Sequence, residues 1–190
     1  MFADIESLED QLSAANNEVN ALITGLTPQQ GVWRPAPDSW SISECFDHLA
    51  VTNRVYLAAM EPAALNAQAA GKMRKGPAIP GFFGRRFVSL LEPPVKRGFK
   101  IRTTPNIRPR TSPPLADAVA AFQASQKQVL VFLQANSDLD LAGVTFPNPI
   151  IKSIRFSLAT GLHNILSHER RHLWQAQRVR ESIPVPMRTS

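Results

Sequence analysis

Residues 154–181 read IRFSLATGLHNILSHERRHLWQAQRVRE, and the fold is decided there. Ile154, Leu158, Leu162, Ile165, His168, His172, Ala176 and Val179 recur at spacings of three and four. That repeat marks one face of an α-helix. Pro184 and Pro186 end it, because proline cannot continue a helical ladder. Upstream, Ile5, Leu8, Leu12, Ala15, Val19 and Leu22 keep the same period and predict a helix from about Asp4 to Thr24. Leu26 to Asp38 breaks the pattern with Thr27-Pro28, Gly31, Pro35 and Pro37.

Ser41-Ile42-Ser43-Glu44 fits a capping box, with Ser41 as N-cap and Glu44 reaching back to its backbone. The helix it starts carries Cys45, His48, Leu49, Thr52, Tyr56 and Ala59 on its inward face and fades near Gly71, with Pro62 as a point of bending. Another begins near Pro113-Pro114, with the stripe Leu115, Val119, Phe122, Val129 and Leu133. Residues 138–153 read as a loop around Gly143, Pro147 and Pro149. No alternating strand, Asn-Gly hairpin signal or repeat period is evident. The expectation is an all-α chain: a four-helix bundle with a long connector, 71–113, between helices 2 and 3. That connector is long enough to cross the bundle, so an up-down-up-down order does not follow. Residues 1–190 are read as one domain with a tail at 182–190.

Composition is that of a globular protein, 44% apolar and 19% charged. The single cysteine, Cys45, excludes a disulfide framework or multi-cysteine zinc ribbon. Asp4, Glu6, Glu9 and Asp10 make the start acidic where an export signal is basic and then apolar. The longest purely apolar runs, such as Val129–Leu133, are too short for a bilayer. A cytoplasmic protein without a membrane partner is expected.

The net charge of +6 is unevenly spread. The connector holds eleven of the 21 basic residues, seven prolines and one acid, Glu92, so it carries +10 and the remainder −4. Seven prolines exclude a long helix, although a turn near Gly84–Leu91 fits. Such a segment reads first as a solvated connector and second as a patch for an anionic partner. Aromatic stacking positions are sparse, which argues against a nucleic-acid partner. Phe82, Phe83, Phe87 and Phe99 read as anchors that dock the connector on a core.

Of the four histidines, His48, His168 and His172 fall on apolar stripes. His168 and His172, four apart, stack on one helix face. Buried imidazoles need hydrogen bonds or a bound ion. Backbone, carboxylate or water can satisfy them. A divalent metal (zinc, nickel or iron) does so too, with His48 as a third ligand across the core. His163 points away from both and reads as a polar or interface residue.

His168-Glu169-Arg170-Arg171-His172 matches HExxH, the zincin protease motif. Against a metallopeptidase, the 18 residues after His172 contain no histidine, and their only acid, Glu181, points to the opposite side of a continuing helix. No strand signal offers an edge for a peptide substrate. A non-catalytic helical module, with its metal structural or absent, is the other alternative.

Trp33-Arg34-Pro35, Asp38-Ser39-Trp40-Ser41-Ile42-Ser43-Glu44 and His48-Leu49 together resemble the opening of DinB-like proteins. His168-Glu169-Arg170-Arg171-His172-Leu173-Trp174-Gln175 resembles their closing helix, and Lys100–Pro109 their proline-rich approach to helix 3. The resemblance covers most of the chain. It implies a four-helix bundle, a homodimer, and a divalent metal on His48, His168 and His172, the set the periodicity selects. Characterised members include bacillithiol- or mycothiol-dependent S-transferases and a mycothiol-dependent maleylpyruvate isomerase. This implies a small-molecule substrate, here a low-molecular-weight thiol activated by the metal, or else a water activated for hydrolysis. The basic connector is then a candidate holder of an anionic thiol through Arg85 and Arg86. Cys45 reads as core rather than ligand. Glu44 reads as a cap, and Glu169 points about 100° away from the ligands. Gln175 fits either a ligand-orienting or a surface role. Trp33, Trp40 and Trp174 read as core or dimer residues.

Overall fold

The computed structural model describes residues 4–94 and 103–184. Four long helices form the bundle: α1 (Ile5–Ile23), α3 (Ile42–Ala69), α5 (Leu115–Ala135) and α6 (Leu158–Ser182). Two short ones join them, α2 (Pro28–Val32) and α4 (Phe82–Ser89), with a 3-10 turn at Pro105–Ile107. Lys96, Phe99, Arg97, Lys100, Arg102 and most of the tail lie outside the described residues.

Four of the six helices among the described residues start at a capping side chain. Asp4 caps α1, Thr27 and Gln30 form a capping box on α2, Ser41 and Glu44 form the expected box on α3, and Ser157 caps α6. The last is a correction, because Ile154 does not belong to the helical stripe. Residues 155–157 form a strand, β2, antiparallel to β1 (Thr145–Pro147), with Phe146 facing Phe156. Three residues per strand are too few for an alternating pattern to register in the sequence. Pro62 sits inside α3 without ending it.

Around the bundle, α1 packs against α6 and α5, and α3 packs against the same two. Cross-helix hydrogen bonds set the directions. Gln11 and Ala21 of α1 meet Arg170 and Arg180 of α6, so these helices run parallel. Asn53 and Gln68 of α3 meet Ser125 of α5 and Asn136 just beyond it, so these also run parallel. Glu9 and Asn20 of α1 meet Gln134 and Gln123 of α5 in antiparallel order. The order is up-down-down-up, and the connector returns along α3, a helix about 42 Å long at 1.5 Å per residue.

The apolar core comes in two clusters. One holds Leu8, Leu12, Met60, Leu133, Phe146 and Leu162. The other holds Val19, Phe46, Leu49, Phe122 and Leu173. Between them each of three helices contributes buried polar side chains: His48, Thr52 and Asn53 from α3, Ser125 and Gln126 from α5, Glu169 and His172 from α6. That polar layer costs stability wherever it is unsatisfied, so its partners locate the site.

The connector docks differently from expectation. Phe82 and Phe83 are 73% and 86% exposed. The anchors are Val88 and Leu91, both buried, together with Phe87, whose ring packs on Phe156. An eight-residue helix can bury only one narrow face, which Val88 and Phe87 occupy, and Leu91 follows just past its end. His163 is buried against the connector, its Nε2 3.2 Å from the Ala78 carbonyl oxygen. No helix among the described residues is long and apolar enough to cross a membrane.

Candidate metal centre

The segment before α3 is tied to it by Arg34, whose guanidinium forms an ion pair with Glu44 while Glu44 caps the Ser41 backbone. This accounts for the Trp33-Arg34-Pro35 stretch and seats Trp40 over the site. The Trp40 ring lies 4.7 Å from that of His48 and 5.6 Å from that of His172, centroid to centroid. Trp40 therefore stands beside the histidines.

His48, His168 and His172 converge, with one nitrogen from each within 4.8 Å of the others. The His48 and His168 Nε2 atoms are 3.2 Å apart. Two imidazole nitrogens on one zinc, each at 2.0–2.1 Å, would stand about 3–3.4 Å apart for right-angle to tetrahedral geometry. Second partners orient two of the rings. His48 Nδ1 donates to the Ile107 carbonyl at 2.6 Å, and His172 Nδ1 donates to Gln175 Oε1 at 3.0 Å. Both rings then present Nε2 lone pairs inward, the arrangement found around protein-bound metals. Two lone pairs facing each other at such a distance repel unless a proton or cation lies between them. Burial pushes His48 down to about 4 and holds His168 and His172 well below the ordinary imidazole value, with the neighbouring rings and Arg171 adding to the effect. The neutral ring is the metal-binding form. On tautomer, distance and protonation the residues fit a divalent cation.

The Ile107 carbonyl comes from the connector, which is held by a further contact. Buried Asp47 accepts from the Arg110 backbone N–H at 2.7 Å and from its guanidinium at 2.8 Å. A backbone carbonyl carries no residue identity, so no sequence signal could have found Ile107.

The histidines form one wall of a cavity of about 450 Å³. Its other walls are largely apolar, with Phe87, Leu90, Leu91, Ile107, Ile150 and Ile151. Thr52, Tyr56, Asn164 and Arg171 add polar groups. Among the described residues, Arg171 is the basic side chain that lines this cavity. None of the described Lys or Arg residues of the connector lines it, including Arg85 and Arg86. A wider groove at the other end of the bundle, between α3 and the β1–β2 hairpin, holds none of the histidines.

Glu169 turns away from the cavity into the bundle, fully buried. It accepts from Asn53 Nδ2 at 2.8 Å and from Gln126 Nε2 at 2.9 Å. Burial pushes its carboxyl up to about 7, against the pull of those two donors. Both oxygens are engaged away from the histidines, so the HExxH glutamate does not occupy a general-base position. Asn53 and Gln126 carry the signal that flagged the histidines, polar side chains on buried helix faces. Cys45 is fully buried in the core and its thiol is pushed up by burial, an inert position outside the histidine cluster.

A four-helix bundle whose facing helices bring three histidines to a cavity defines a class: helical proteins with a cluster that could hold a metal ion. The chain belongs to the DinB superfamily, whose family model matches residues 11–176. Comparisons with curated proteins and with solved structures returned no match.

Proposed function

We propose that the chain is a metal-dependent enzyme in which His48, His168 and His172 hold a divalent cation at the wall of the cavity. One observation carries this reading: three neutral imidazoles converge there, two of them oriented through Nδ1 so that Nε2 faces inward. A divalent ion on three imidazoles supplies Lewis acidity, lowering the pKa of a thiol or water that reaches it. The cavity beside the histidines leaves room for that reactant, unlike a closed structural site.

The protein's own residues do the rest. Ile107 and Gln175 fix the imidazoles. Trp40 and the apolar walls exclude water, which strengthens electrostatic interactions inside. The Arg171 guanidinium places positive charge where an anionic nucleophile would collect. Group transfer from a low-molecular-weight thiol is the reading favoured here, because Arg171 and a cation together suit a thiolate. Hydrolysis is the second reading. The engagement of Glu169 by two amides weighs against a peptidase.

The test is metal analysis of protein purified without a histidine tag and loaded in turn with zinc, nickel and iron. The wild type should retain one ion, and His48→Ala, His168→Ala and His172→Ala should each lose it. A His168→Ala protein with full metal content would overturn the ligand set. On cobalt-loaded protein, 2-mercaptoethanol should produce a thiolate-to-metal absorption band if thiol is the reactant. No band would leave hydrolysis.

A further inference from the structure

The cavity has a second polar site, away from the histidines. Tyr56 and Asn164 both line it, from α3 and α6. Tyr56 lies eight residues beyond His48 and Asn164 four residues before His168, so about 6–12 Å of helix rise separates this pair from the imidazoles. The Tyr56 hydroxyl oxygen accepts from Asn148 Nδ2 at 3.2 Å. The Asn148 amide cannot turn round, because its oxygen already accepts from the backbone N–H groups of Ile150 and Ile151 at 2.8 and 2.7 Å. With its oxygen engaged by that amide, the tyrosine hydroxyl still has its own proton to donate.

Asn164 Oδ1 is buried and has no hydrogen-bond partner among the described residues. A buried acceptor left unmade is costly, and such atoms call for an explanation in a ligand or a bound water. A hydroxyl proton to give and a carbonyl oxygen to fill therefore belong to two residues that line the same largely apolar chamber.

We infer that Tyr56 and Asn164 form a subsite for a neutral hydroxyl or carboxamide group of the substrate, whose apolar body lies against Phe87, Leu90, Leu91, Ile107, Ile150 and Ile151 and whose reacting end faces the histidines. A hydroxyl accepts from Tyr56 and donates to Asn164, and a carboxamide does the same through adjacent C=O and N–H. A carboxylate would leave Asn164 Oδ1 without a donor and add repulsion between oxygens. This deepens the metal-enzyme reading, on which the placement of the reacting end rests. The subsite itself needs no metal.

Binding of two probes of matched shape, 4-ethylphenol and 4-ethyltoluene, to the full-length chain tests it by calorimetry or NMR titration. A purely apolar chamber prefers the hydrocarbon, whose transfer from water is the more favourable. The wild type should instead bind the phenol better by about threefold or more. Asn164→Leu should shift the ratio toward the hydrocarbon by about tenfold, the loss expected when one buried hydrogen bond goes unmade. Tyr56→Phe should shift it in the same direction. Wild-type protein stripped of metal by a chelator, which separates the subsite from the metal reading, should keep the phenol preference. A wild type that binds the hydrocarbon as tightly as the phenol overturns the subsite. So does an unchanged ratio in a folded Asn164→Leu protein, or a preference that vanishes when metal is removed from the wild type.

Discussion

Glu169 gives the sharpest quantitative prediction, because its surroundings set both a hydrogen-bond cost and a pH dependence. Glu169→Leu removes two acceptors and leaves one N–H of Asn53 and one of Gln126 unmade in the interior. At about 1–3 kcal/mol each, the loss should be about 2–6 kcal/mol. Glu169→Gln should behave differently. Its amide keeps one acceptor, and its new N–H can meet the unpartnered Oε1 of Gln126 once that amide rotates. Asn53 can stay in place, since its Nδ2 also bonds Ser125.

The glutamine variant also removes an ionisation that the fold opposes. In the folded protein the Glu169 carboxyl titrates at about 7, against an ordinary value of 4.5. An acid raised in this way stabilises the fold in full below its unfolded value. That contribution drains away as pH rises through the folded value, because the unfolded chain releases its proton first. The interval corresponds to about 3 kcal/mol. Urea unfolding of metal-free wild type and Glu169→Gln, followed by circular dichroism at about pH 5 and about pH 8, reads the difference directly. The histidines titrate alike in both proteins and cancel. The variant should gain about 3 kcal/mol on the wild type between the two conditions. A stability difference that does not move with pH would refute the placement of a neutral carboxyl at the centre of the bundle.

Further outcomes follow from the same geometry. Gln175→Leu deprives His172 Nδ1 of its acceptor and should weaken metal affinity by about 10–100-fold in a chelator competition, without unfolding the chain. Gly161→Ala should destabilise. A β-carbon there would stand 2.8 Å from Met60 Sδ and 2.9 Å from the Phe146 ring, and overpacking costs about 1–3 kcal/mol against a helix-propensity gain of about 1. A thermal melt that rises in Gly161→Ala would contradict the close α3–α6 approach.

The connector illustrates how a segment that looks like a spacer serves a site. Because α3 and α5 run parallel, the chain must travel back along the bundle before α5 begins. On the way it lays the Ile107 carbonyl against His48, where the Asp47–Arg110 contact secures it. The charge that dominates its composition does not line the cavity in the described residues. Arg74 pairs instead with Asp4 at the start of α1, and Arg110 with Asp47.

The four long helices, the Ser41–Glu44 cap and the inward placement of His48, His168 and His172 were legible from the chain alone. Each rests on residues within a turn or two of one another, where the 3.6-residue period and capping chemistry act. The resemblance of the Trp33–Leu49 and His168–Gln175 stretches carried the family as well. Other features depend on residues far apart in sequence, whose encounter no local period encodes. The tertiary structure alone decided that α3 and α5 are parallel, that Ile107 and Gln175 choose which imidazole nitrogen faces inward, and that Glu169 is held by Asn53 and Gln126. It also decided that Tyr56 and Asn164 share a cavity with the histidines. Phe82 and Phe83 mark the same boundary from the other side. Their apolar character predicted burial, but the single buried face of α4 was already taken by Val88, and the two rings stand in solvent.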